Sequence, residues 1–209
     1  MRTIPPMVAL VAYCLLFVGC GEAPEDKHSS TSDQSEHMKI YTSFRLEADL
    51  SHLSENQRKM IPILIEAAEA MDEVFWLESF GNRDELLASI ESEDLRRFAE
   101  VNYGPWDRLD GNRPFLDSYG EKPLGARYYP SDMTKEEFDA ACAADADFCR
   151  DLRSQYTIVR RKDDGTLYTI PFHLEFSAQH QRAADKLREA AALAEDEGFR
   201  RYLEARADA

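Results

Sequence analysis

Residues 103–132 limit what this chain can fold into more than any other segment, because no long helix or strand can pass through them. Eight of the eighteen glycines and prolines fall there: Gly104, Pro105, Gly111, Pro114, Gly120, Pro123, Gly125 and Pro130. Proline removes a backbone donor and glycine favours turns, so the stretch breaks regular structure repeatedly. Six aromatics share it: Tyr103, Trp106, Phe115, Tyr119, Tyr128 and Tyr129. A disordered linker is poor in aromatic residues. The segment therefore reads as a long ordered loop packed on its own rings, and long ordered loops are usually functional.

Helical patterns lie on both sides. Ser54 with Gln57 forms a capping box, and Met60, Leu64, Ala67, Ala68, Met71, Val74 and Phe75 follow on one face. Pro62 is expected to kink the first turn or mark the true start of this helix, and Gly81 to end it. Asn82 with Glu85 opens a second helix carrying Leu86, Leu87 and Ile90, and a third carries Leu95, Phe98 and Val101. Beyond the loop, Thr134 with Glu137 is another capping box, followed by Phe138, Ala141, Cys142, Phe148 and Leu152. Residues 156–161 and 166–171 are β-rich runs joined through Asp163-Asp164-Gly165, a strong hairpin signal. A long helix is expected over residues 174–194 and one more over 199–207, while residues 38–50 form a strand or extended entry. The last helix reaches the end of the sequence with apolar residues showing, and the chain reads as stopped short of a finished fold. The expected class is α+β, mostly α-helical, with about five helices, one β-hairpin and the long aromatic loop.

The N-terminus is of another kind. Arg2 precedes an unbroken apolar run over residues 7–18, too short to span a bilayer, which needs about 20 residues, but suited to a secretory signal. The run ends in FVGCG at residues 17–21, which resembles a bacterial lipobox with Cys20 as the lipidated residue, although Phe17 stands where leucine is usual. Residues 21–37 hold no large apolar side chain and read as a flexible acidic tether in which His28 and His37 are solvated. The division expected is a signal at 1–19, a tether at 20–37 and a folded lobe at 38–209. The protein would be exported and lipid-anchored at a bacterial membrane, the outer one, on its periplasmic or surface side. A net charge of −15 argues against nucleic acid as a partner and against electrostatic attachment to anionic lipid. Cys142 and Cys149 are expected to stay reduced: on one continuous helix their Cα atoms lie about 10.5 Å apart, beyond disulfide reach. Only a break near residues 145–147 would let them pair.

Catalytic signatures are missing. None of the five histidines shows metal-ligand spacing, and His173 and His180, on one helix, stand about 10 Å apart, too far to share a zinc ion. Phosphate-loop, dinucleotide and nucleophile-elbow patterns do not occur.

The most specific stretch is NYGPWDRLDG at residues 102–111, followed by Pro114-Phe115 and by KPLGARYYPSDMTKEEF at residues 122–138. In this order and spacing the segments resemble the N-terminal part of bacterial members of the M49 family of zinc metallopeptidases, the dipeptidyl-peptidase III group. The resemblance runs from about Ile40 to the end of the sequence and implies one partial lobe of a larger two-lobed fold with a wide cleft. It implies zinc in the full-length family, held by a His-Glu-x-x-Gly-His helix and a glutamate from a second helix, with release of dipeptides from peptide substrates. Neither zinc motif occurs here, so the resemblance assigns this chain no catalytic residue, no metal ligand and no cofactor. It leaves Asn102, Tyr103, Trp106, Asp107 and Arg108 as candidate substrate-binding residues of the cleft wall, with the catalytic half as the missing partner. A second reading is a non-catalytic surface lipoprotein that uses the aromatic loop to bind peptides or a protein partner.

Overall fold

The computed structural model describes residues 36–209; the signal run, Cys14, Cys20, His28 and nearly all of the tether lie outside the described residues. Eight α-helices and two small antiparallel sheets make up the lobe, an α+β arrangement dominated by helix.

The spine is α1 (Glu55–Ser79), opened by the Ser54–Gln57 capping box, in which the Ser54 hydroxyl accepts from the Gln57 N–H and the Gln57 side chain accepts from the Ser54 N–H. Pro62 lies inside the helix rather than at its start. The missing N–H costs one internal bond, and packing on both sides of the spine offsets it. Met60, Ala67, Ala70 and Val74 share the buried face, while Trp76, two residues on and so rotated about 200° from Val74, is buried on another. The end of α1 is thus gripped from two directions.

Three clusters result. Near the start of the spine, Met60 packs with Ala190, Ala191 and Ala194 and with Leu203. These come from α7 (Ser177–Leu193), its C-cap Ala194, and α8 (Glu197–Asp208). The alanines leave room for α7 to lie close against α1. Farther along, Val74 meets Ile158 and Phe176. At the end, Trp76 packs with Leu86, Ile90 and Ala99, from α2 (Arg83–Ser89), its C-cap and α3 (Glu93–Asn102). Met71 and Phe75, expected inside, are 42% and 44% exposed, because the inward stripe is narrower than the apolar one.

Sequence expectations need correcting at several places. Residues 36–40 form a 3-10 turn and the following stretch has no strand; His37 is exposed, yet its ring lies 5.0 Å from that of Phe98. The aromatic loop holds a second, minimal sheet, β1 (Trp106–Asp107) with β2 (Arg113–Pro114). Helix α4 (Lys135–Ala144) ends at Asp145, whose side chain caps the next helix, α5 (Ala146–Leu152), by accepting from the N–H groups of Asp147 and Phe148. That break brings the Cα atoms of Cys142 and Cys149 to 4.3 Å, and the two are disulfide-bonded rather than reduced. The expected hairpin forms from β3 (Thr157–Arg161) and β4 (Leu167–Pro171). Arg161 clamps α4 to it, with Nη1 and Nη2 donating to the Glu137 carboxylate at 2.6 and 2.9 Å. Its Nε lies 3.2 Å from Asp132 as an ionic contact without hydrogen-bond alignment. The long helix expected over 174–194 is two, α6 (Phe172–Glu175) and α7, separated at Phe176, whose ring is drawn into the core.

Candidate functional site

The five candidate residues meet where α3 passes into the aromatic loop. Tyr103 takes the left-handed conformation, φ 53°, to end α3, and Gly104, φ 148°, donates to Ala99 O. A non-glycine residue in this region is strained by about 1–2 kcal/mol. The strain is held by the Tyr103 ring, which packs edge-on against Phe75 at 4.6 Å and beside Trp76 at 5.0 Å. Its hydroxyl donates to Asp72 Oδ1 at 2.5 Å, and this bond, more than burial, raises the phenol above its ordinary value.

Asn102 is 2% exposed and uses both ends of its amide: Nδ2 donates to Phe98 O and Oδ1 accepts from Arg108 N, each at 3.0 Å. Asp107 organises the turn between β1 and β2. Its side chain accepts from Leu109 N at 2.9 Å and its carbonyl from Asn112 N at 2.8 Å. Trp106 is 8% exposed, and its Nε1 donates to Gly120 O at 2.9 Å across the loop. Arg108 alone is largely in solvent, with its guanidinium 5.6 Å from the Tyr103 ring and an Nη donating to Val101 O. Within this group the polar atoms of Asn102, Trp106 and Asp107 are spent on the loop itself, while Tyr103 and Arg108 present a face to solvent.

The loop is fastened on three sides: Arg127 N donates to Glu78 O of α1 at 3.0 Å, Val159 N of β3 to Tyr128 O at 2.8 Å, and Arg160 Nη1 to Arg127 O at 2.9 Å. Burial, with the Glu78 carboxylate as a second cause, pushes the Tyr128 phenol up to about 12.

Beside the loop lies a groove of about 430 Å³, walled by Phe80, Trp106, Tyr119 and Tyr129 and edged by Arg127 and Arg160. Of these residues the sequence marked only Trp106 as a candidate for binding, while Arg127 and Tyr129 lie in the KPLGARYYP segment with no role assigned; that they converge depends on the loop's long-range fastenings. A second groove, about 650 Å³, runs along α1 past Asp72, Glu73, Arg83 and Gln179. A third, about 910 Å³ and mainly apolar, opens between α1, α7 and α8, with His173 and His180 in its wall. Among the described residues no group of three or more His, Cys, Asp or Glu could hold a metal ion. The donor set among the described residues does not fit the zinc that the sequence resemblance implies.

No family model matches the chain. It is 29% identical over 133 residues, 47% of this chain and 17% of the relative, to Nudix hydrolase 3 of Arabidopsis thaliana. Among solved structures, it superposes on dipeptidyl-peptidase III of Caldithrix abyssi with a TM-score of 0.75 and 32% identity, covering 82% of this chain and 34% of that one. The enzyme of the same name from Corallococcus sp. strain EGB gives a TM-score of 0.75 at 29% identity with the same coverage. The chain therefore spans about a third of the length of the solved structures it matches. The resemblance carried by the two motif segments extends to three dimensions: this chain has the architecture of part of a dipeptidyl-peptidase III.

Proposed function

We propose that this lobe, built like part of a dipeptidyl-peptidase III, is the non-zinc wall of the substrate cleft in an exported, lipid-anchored peptidase of that type, and hydrolyses nothing alone. The observation that carries the reading is the pairing of a close match in fold with a donor set that, among the described residues, offers no cluster for zinc. In such an enzyme the metal would polarise the scissile carbonyl and activate water; no residue described here takes part in that step. This chain's share is to shape and orient. Tyr103 and Arg108 face the peptide, and Asn102, Trp106 and Asp107 hold the loop that carries them.

The catalytic half is the partner the lobe is built to meet, and the apolar groove between α1, α7 and α8 supports that role. Lipid on Cys20 supplies the anchor, and the Cys142–Cys149 bond supports export, because cytosolic thiols are kept reduced. The 430 Å³ groove is built wholly from this chain's own residues, and it favours the second reading, a surface lipoprotein that binds peptides without cutting them, wherever the catalytic half is lacking.

Metal analysis and a dipeptide-release assay on the purified full chain test the proposal. The expected result is no stoichiometric zinc and no chelator-sensitive release. One tightly held zinc per molecule, or release abolished by chelation, would overturn it. Cys20→Ser is expected to move the protein from the membrane to the soluble fraction, and unchanged fractionation would remove the anchor.

A further inference from the structure

The groove beside Trp106 gathers positive charge in a chain whose formal charge is −15. Several cations elsewhere in the lobe are answered by carboxylates: Arg83 by Glu100, Arg161 by Glu137, Arg182 by Glu73, Lys186 by Glu66. Arg127, in the lining of this groove, is not. The Arg127 guanidinium lies along the open side of Gly81, where an added Cβ would sit 3.6 Å from its Cζ. No hydrogen bond or ion pair holds that guanidinium among the described residues. Lys122, outside the lining itself, stands over the Trp106 ring with its Nζ 5.6 Å from the centroid. Burial, and then repulsion from Arg108, holds its ammonium below the usual lysine value. Arg160 is already neutralised by Glu175 at 2.6 Å, and Glu121, exposed at the rim, is the one carboxylate in the lining. Aromatic walls beside an uncompensated guanidinium suit one class of ligand.

We propose that this groove binds a carboxylate carried next to an aromatic or apolar group, as at the C-terminal end of a short peptide, with Arg127 as its direct partner and Lys122 as a second charge. A guanidinium grips a carboxylate through two parallel N–H donors, whereas an ammonium acts as a point charge. The volume falls within the range of small-ligand sites, about 300–1,000 Å³. The inference rests on the loop being a ligand-facing wall, but zinc and the catalytic half play no part in it. Failure of the peptidase reading and failure of this one are therefore separate results.

The test is calorimetric titration of the purified full chain with three probes: N-acetyl-phenylalanine, its amide, and N-acetyl-aspartyl-phenylalaninamide. The free acid is expected to bind at least about tenfold more tightly than the amide. Arg127→Gln should bring it down to the amide's affinity, and Arg127→Lys should restore part of the loss. Arg127 is exposed, so the variant should keep its fold; Lys122→Gln provides an independent loss, and Arg150→Gln, far along on α5, should change nothing. The aspartyl amide separates the two sources of carboxylate: binding equal to the acid extends the site to acidic side chains, and weak binding confines it to chain ends. Acid and amide binding within twofold of each other, no binding of the acid at millimolar concentration, or an equal loss in Arg150→Gln would overturn the assignment.

Discussion

Asn102 is the one buried polar side chain among the described residues, and its amide joins the last turn of α3 to the start of the loop. Replacement by alanine leaves the Arg108 N–H without its acceptor and takes the side-chain donor away from the Phe98 carbonyl. A stranded buried group costs about 1–3 kcal/mol. Asn102→Ala should therefore lower the unfolding free energy by about that much, read from the urea midpoint at unchanged slope. Asn102→Asp should cost more, since a carboxylate can still accept from Arg108 N but cannot donate to Phe98 O, and its charge would be buried. If alanine left stability within about 0.5 kcal/mol, the residue would be free for a ligand instead. Its sequence neighbourhood marked Asn102 as special without saying why; the polar partners sit four and six positions away on different elements, and only the fold decides that the amide turns inward.

Among the elements, what was legible follows local chemistry. Each capping box or Asx cap names its own helix start, and the Asp-Asp-Gly turn names the hairpin, because the interacting groups lie within a few residues. Local pattern fails where a tertiary demand overrides it. Phe176 interrupts the expected helix because its ring fits between Val74 and Ile158, and Asp145 divides α4 from α5 because its side chain serves the second helix better than it continues the first. That division makes the disulfide geometrically allowed. Closing a loop of this length contributes about 2–3 kcal/mol by the chain-entropy account. Non-reducing mass measurement should show the two-hydrogen deficit, and Cys142→Ala/Cys149→Ala should lose stability in that range while keeping the helical circular dichroism. A variant as stable as the parent would mean that the Arg161–Glu137 clamp alone sets the α4–α5 corner. The two-residue strands β1 and β2 were beyond sequence reasoning altogether, since a single ladder step has no periodicity to read.

At the scale of the whole lobe, the sequence carried the family resemblance but not the surfaces. Leu203 and Phe199 both sit on the apolar stripe of α8; the fold buries the first to 2% and leaves the second 41% exposed, with Tyr202 at 59% and Tyr156 at 75% beside the same groove. Periodicity cannot separate a face turned to the chain's own core from one turned to a neighbour. A contiguous apolar patch on a protein surface is usually a place of contact. The open groove predicts that the purified chain binds an apolar dye such as anilinonaphthalene sulfonate in its native state. Phe199→Ser/Tyr202→Ser should remove most of that signal with little change in thermal midpoint, because neither side chain is in the core. Leu203→Ser, by contrast, should cost about 2–5 kcal/mol, as truncation of a buried leucine does. If the native chain gave no dye signal, the three helices would close on themselves in solution. The lobe would then need no catalytic half to cover it, and the surface-lipoprotein reading would gain.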